Sequence, residues 1–320
     1  SMLTRYGAPE TIAKQAAALR ERLTTETDPG LLRSWEHAWN LEFKARPVQE
    51  HEALRKQIAA DLERLETIST SKDDRWAGFL VSGYRMAGEP EALRHAEDRL
   101  IADYPASFAA RNAVRERWRK EHPYPKSEDP EEKKQAFYRA QLVWAEEQLQ
   151  RAPGEFEYLM ERFHALSDLN DSTGEQVAAA GNTMLEALRK GADWFGVPPF
   201  EFRVASALLK KKVEVERVPD LMAEGLRSFR EREGDTQDDR DPDERKAPDS
   251  GNAFYVKTEA ARILIEAATL LKRPEIAASA VAEVESIKAE KASSRSSILD
   301  TRARFAELEG RKLDALLLYR

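Results

Sequence analysis

The sequence predicts an all-α protein, a right-handed α-solenoid of stacked helical hairpins, about fourteen to sixteen helices in all. Three observations carry that prediction. Apolar residues recur at three- and four-residue steps along almost the whole chain, while alternating β-branched runs are nearly absent. Small residues in successive second helices form a ruler at Ala16, Ala53, Ala92, Ala145, Ala180, Ala223, Ala277 and Ala315, with gaps of 37, 39, 53, 35, 43, 54 and 38 residues. Most of these gaps match the period of stacked helix pairs. Glycine and proline stand mainly at the joints: there are only 14 Gly and 15 Pro in 320 residues, so long helices are rarely interrupted.

In chain order, Pro9 to Leu23 forms the first apolar stripe through Ile12, Ala13, Ala16, Leu19 and Leu23. Thr27-Asp28-Pro29-Gly30 supplies turn chemistry. Leu32, Trp35, Ala38, Trp39 and Phe43 mark the next helix, which Pro47 ends. Ala53, Leu54, Ile58, Leu62 and Leu65 mark another. A hairpin follows, with Trp76, Phe79, Leu80 and Tyr84 on its first helix, Gly88-Glu89-Pro90 at the turn, Ala92, Ala96 and Leu100 on its second, and Pro105 closing it. After an interruption, Phe137 to Leu149, Phe156 to Leu166, Val177 to Leu188, Val204 to Val215, Leu221 to Phe229, Phe254 to Leu271 and Ala277 to Ile287 carry helical periods. The chain closes on a last hairpin from Ala303, turning at Gly310.

Two long gaps in the ruler coincide with two insertions, near residues 121–133 and 231–252. The first holds Pro123, Pro125 and Pro130, whose spacing forbids helix. The second is acidic and nearly free of apolar residues, and the sequence predicts a surface loop there. With these set aside, residues 3–320 read as a single helical-repeat domain. The connection from Gly191 to Phe202 holds Trp194, Phe195, Phe200 and Phe202 with Pro198 and Pro199. It is expected to plug the end of the core; the alternative is a small-ligand or enzymatic site built on those four rings.

The hairpins resemble tetratricopeptide repeats. That repeat has a tryptophan early in its first helix, a glycine at the turn, an alanine in the second helix and a closing proline, and Trp76, Gly88, Ala92 and Pro105 stand in that order. The turn is one residue short of the usual spacing. Gly310, Ala315 and Tyr319 repeat the glycine, alanine, aromatic spacing. The closing LEGRKLDALLLYR is also similar to helical-repeat regions that some soil-bacterial proteins carry ahead of a thioredoxin-like, disulfide-reductase-type domain. That resemblance implies a partner-docking part of an exported protein, a fragment whose redox cysteines would lie beyond Arg320. The second helix of the last hairpin, ending on Leu316, Leu317 and Leu318, fits the same expectation of a further helix.

Function classes are narrowed mainly by what the sequence lacks. Lys and Arg number 51 against 58 Asp and Glu, a net charge of −7 with both signs interleaved; this is the pattern of solvated helix faces, and it argues against nucleic acid as a partner. There is no cysteine, hence no disulfide, thiolate metal site or cysteine nucleophile in this stretch. No apolar run approaches the roughly 18 residues of a membrane span.

Glu161 and His164 share a helix face at Glu-x-x-His spacing, but a di-iron site needs a second such pair and two more glutamates. Asp168-x-Asn170-x-Ser172 and Asp239-x-Asp241-x-Asp243 alternate oxygen ligands, yet neither has the glycine and glutamate of a calcium loop at the required positions. Paired acids such as Glu131-Glu132 and Glu146-Glu147 lie in no apolar setting. Nucleophile elbows and phosphate-binding glycine loops are absent. The sequence therefore predicts no catalytic residue, cofactor or metal site, and a protein partner as the target.

Overall fold

The computed structural model describes residues 32–68, 73–191, 197–238, 251–287 and 292–319, together with scattered helical positions between 11 and 21. Among these residues every element is helical: α1 (Leu32–Ala45), α2 (His51–Ile68), α3 (Asp74–Ala87), α4 (Pro90–Asp103), α5 (Phe108–Glu121), α6 (Glu131–Arg151), α7 (Phe156–Asp168), α8 (Gly174–Arg189), α9 (Phe200–Lys211), α10 (Val218–Asp238), α11 (Gly251–Leu271), α12 (Glu275–Glu285), α13 (Ala292–Leu308) and α14 (Lys312–Leu318). The predicted all-α class is therefore observed. The chain divides into two compact units, Ser1–Tyr124 and Pro125–Arg320, and the division falls within the proline-rich interruption.

In the first unit the core runs through α1, α2 and α3, with Trp39, Leu54, Ile58 and Leu62 fully enclosed. Trp39 stacks on Phe79 at 5.5 Å between ring centres and tilts against Trp35 at 5.7 Å; Phe79 stacks in turn on Trp76 at 5.5 Å. The buried indole of Trp39 donates its N–H to Asp61 at 3.2 Å, which satisfies a polar group that would otherwise be costly there. Helix α1 packs on α2 and α3, and α3 on α2, α4 and α5.

The hairpin of α3 and α4 follows its sequence closely. Asp73 caps α3 by accepting the Trp76 N–H at 2.9 Å. Gly88 takes up the left-handed conformation (φ 75°), and the Glu89 N–H reaches back to the Tyr84 carbonyl at 3.2 Å, closing the helix as such a C-terminal glycine allows. Pro90 then starts α4, where its missing N–H is not needed.

Helix α5 is an addition to the predicted elements. Its sequence, FAARNAVRERWRKE, buries only Ala110, Ala113 and Trp118, so its apolar stripe is thin and broken by arginines. It is fixed by polar contacts instead: Ser107 caps it, and Arg117 donates to Glu97 (2.9 Å), Asp98 (2.7 Å) and the Arg94 carbonyl (3.2 Å) on α4.

The second unit has its own continuous core, from Phe156, Phe163 and Leu166 on α7 through Val177, Met184 and Leu185 on α8, Phe200, Phe202 and Leu208 on α9, to Val256, Ile263 and Ala267 on α11 and Val281 and Val284 on α12. Neighbouring helices pack in chain order, and α11 also packs on α9 and α13. Helix α8 starts with a full capping box, Thr173 accepting the Gln176 N–H and Gln176 accepting the Thr173 N–H. Thr173→Ala should cost about 1 kcal/mol by urea unfolding; a change under a few tenths would mean the box contributes little here.

Three expectations change. Phe200, Glu201 and Phe202 belong to the first turn of α9, not to the connection before it; Pro199 at the N-cap gives that turn its start. The loop expected over 231–252 does not hold at either end, because α10 continues to Asp238 and α11 begins at Gly251; residues 239–250 lie outside the described residues. Charged residues such as Glu231 have no reason to unwind a solvated helix face. Finally, the alanine ruler is only partly a packing ruler. Ala145, Ala180, Ala277 and Ala315 are buried, whereas Ala53 and Ala223 are exposed. Beside Ala223 the close approach is made by Gly225, where a Cβ would come within 2.9 Å of the Phe202 ring. Ala16 lies outside the described residues.

Candidate functional site

Both units carry grooves that gather polar groups over apolar floors. The first lies on α2, α3 and α4, encloses about 290 Å³, and is floored by Trp76, Leu80 and Ala96. Its rim carries Glu66 from α2, Asp73 and Tyr84 from α3, and His95, Arg99 and Asp103 from α4. The Tyr84 hydroxyl donates to Glu66 at 2.6 Å, and Arg99 stands 3.9 Å from the same carboxylate. Burial, reinforced by the Glu66 carboxylate, pushes the Tyr84 phenol well above its usual range.

A phenol whose folded pKa is raised stabilises the fold fully below its unfolded value near pH 10, and that stabilisation is lost as pH rises above it. The stability difference between the native protein and Tyr84→Phe should therefore shrink from pH 9 to pH 11. An unchanged difference would show that the phenol titrates normally.

The second groove encloses about 330 Å³ beside the predicted aromatic connection. Helix α7 supplies Phe163, His164 and Asp168; helix α9 supplies Phe202, Arg203 and Lys210, and Pro198 stands at the edge. Arg203 donates to His164 Nε2 at 3.2 Å; a guanidinium has no acceptor, so the imidazole proton sits on Nδ1. Arg203 also lies over the Phe200 ring at 5.3 Å, and Lys210 pairs with Asp168 at 2.9 Å. Arg203, Ser206 and Lys210, at spacings of three and four, share one face of α9.

Of the four aromatics in the alternative site, Phe200 and Phe202 are buried in the core of the second unit, with Phe202 touching the groove from below. Trp194 and Phe195 lie outside the described residues. Glu161 and His164 meet different partners. Glu161 is buried against Gln141 of α6, which donates to it at 2.6 Å, while His164 meets Arg203 of α9. Among the described residues, no three His, Asp or Glu side chains gather at metal-binding distance.

The stretch Asp168, Asn170, Ser172 forms the α7–α8 turn. Lys211 serves there as a built-in cation: its ammonium donates to the carbonyls of Leu169 (2.6 Å) and Ser172 (3.1 Å). Burial, and then the neighbouring Lys210, hold the Lys211 pKa below the usual lysine value. Asp239, Asp241 and Asp243 lie outside the described residues.

Comparison with known proteins assigns no relative: no protein-family model, curated protein or solved structure matches this chain.

Proposed function

We propose that this chain is a non-enzymatic helical-repeat scaffold for protein–protein interaction, with the hairpins of each unit stacked in the sense of a right-handed α-solenoid. One observation carries the reading. Within each unit the main contacts join helices one or two places apart along the chain, with α1, α3 and α5 in one series and α9, α11 and α13 in another. Such nearest-neighbour stacking leaves side surfaces of successive helices free to form an extended binding face. The tetratricopeptide-like residues Trp76, Gly88 and Ala92 agree with it. As the docking part of a larger thioredoxin-like protein, the chain would select partners and contribute no redox chemistry of its own, having no cysteine.

The second reading, a small-ligand-binding or enzymatic domain, is favoured by the α7–α9 groove, where His164, Arg203 and Lys210 converge above Phe202. One paired experiment separates the two. Cross-linking capture with the full chain as bait, from the source cells, should recover the same protein partner reproducibly, and a metabolite panel should leave the melting temperature unchanged. No recovered protein together with saturable 1:1 binding of a metabolite would reverse the ranking.

A further inference from the structure

We propose that the α2–α3–α4 groove is the docking site for a basic polypeptide segment, which sinks one apolar side chain between Trp76 and Ala92 and sets flanking Lys or Arg residues against the acidic rim. The inference rests on the scaffold reading and narrows it to one surface and one partner chemistry. Its first support is the combination of an apolar floor with a charged rim. The cavity of about 290 Å³ has room for a single large side chain above Trp76, Leu80 and Ala96, the arrangement of an interface anchor pocket.

The second support is the balance of charge. The rim holds three carboxylates, Glu66, Asp73 and Asp103, against one arginine, Arg99, and one histidine, His95. Two of the carboxylates are partly engaged: Asp73 accepts the Trp76 N–H, and Glu66 accepts the Tyr84 hydroxyl near Arg99. Asp103 makes no hydrogen bond or ion pair among the described residues. It also ends α4, where the helix dipole already presents partial negative charge and favours a cation. A carboxylate in that position works against the stability of its own helix. A cationic partner would reverse the sign of that interaction, and the surrounding acids would steer it and set its register. Anionic segments meet like charge at the same rim, which makes the groove selective by repulsion as well as attraction.

The full-length chain is used to select binders from a phage-displayed random dodecapeptide library, and enriched peptides are measured as synthetic fluorescein conjugates by anisotropy. The expected result is enrichment of Lys or Arg on both sides of Leu, Phe or Trp. A Lys→Glu twin of the best peptide should bind at least about tenfold more weakly. Asp103→Lys should weaken binding similarly while leaving the melting temperature unchanged or higher, since the exposed site then complements the helix end. Ala92→Trp, which fills the groove, should abolish binding. Its Ala92→Ser counterpart, a change of one hydroxyl, controls for loss of fold.

Acidic or uncharged consensus peptides overturn the inference, as do basic peptides indifferent to Asp103→Lys. So does a small amine, tested as N-acetyl-arginine amide, that binds the groove where peptides do not. Peptides that photo-cross-link elsewhere on the chain overturn it and leave the scaffold reading standing. Absence of any enriched peptide together with absence of any captured protein removes both.

Discussion

Phe202→Ala should lower the unfolding free energy by about 3–5 kcal/mol, measured by urea denaturation. The ring is 1 % exposed and belongs to the continuous core of the second unit, so truncation loses both transfer energy and packing. A cost below about 1 kcal/mol would mean that the ring is held loosely, as an aromatic awaiting a ligand would be. The same ring predicts a coupling across α9 and α10. A Cβ at Gly225 would stand 2.9 Å from Phe202 and 3.1 Å from the Glu201 Cβ. Gly225→Ala should therefore destabilise by about 1–2 kcal/mol despite alanine's better helix propensity. In the Phe202→Ala background most of that cost should vanish, a non-additivity that a double-mutant cycle reads directly.

Glu97→Ala is expected to cost about 2–3 kcal/mol. Glu97 is buried on α4 between Arg85 of α3 at 3.3 Å and Arg117 of α5 at 2.9 Å, and removing it leaves two guanidinium groups without their shared acceptor. Breaking a fully buried ion pair costs more than this. Here Arg85 and Arg117 retain 44 % and 33 % of their side-chain exposure, so water compensates part of the loss and the lower figure applies. Hydrogen exchange should quicken most along α5, whose apolar anchorage is confined to Ala110, Ala113 and Trp118. Uniform exchange across the unit would contradict a local role for Arg117.

The behaviour of α5 also explains where sequence reasoning succeeded and where it stopped. Helices with dense apolar stripes, such as α3 with Trp76, Phe79, Leu80 and Tyr84, are visible from periodicity alone. Helix α5 is not, because its binding to α4 is ionic and arginine spacing carries no unique period. Turns show the same division. The helix ends at Gly88 and Gly310 are legible because both glycines adopt left-handed φ, 75° and 79°. Helices α9 and α11 close in the same way, with the Val213 N–H reaching the Leu208 carbonyl and the Arg273 N–H reaching Ala268. Yet Lys212 (φ 53°) and Lys272 (φ 56°) occupy the left-handed position there, and lysine gives no signal for it.

The groove on α2, α3 and α4 was invisible for a further reason. Glu66, Asp73 and Asp103 are 37 residues apart at their extremes, and only the packing of three helices brings them to one rim. By contrast, the α7–α9 groove lies beside the aromatic stretch marked in the sequence, and Phe202 of that stretch forms part of its lining.

The order in which helices meet also bears on how the chain acquires its structure. Because α1, α2 and α3 find their main partners within two helices along the chain, as do α9, α10 and α11, little loop-closure entropy has to be overcome before packing contributes. Topologies of that kind fold on the fast side of the range for their size. A nascent chain would meet each helix's partners soon after they leave the ribosome, so each unit can consolidate progressively during synthesis.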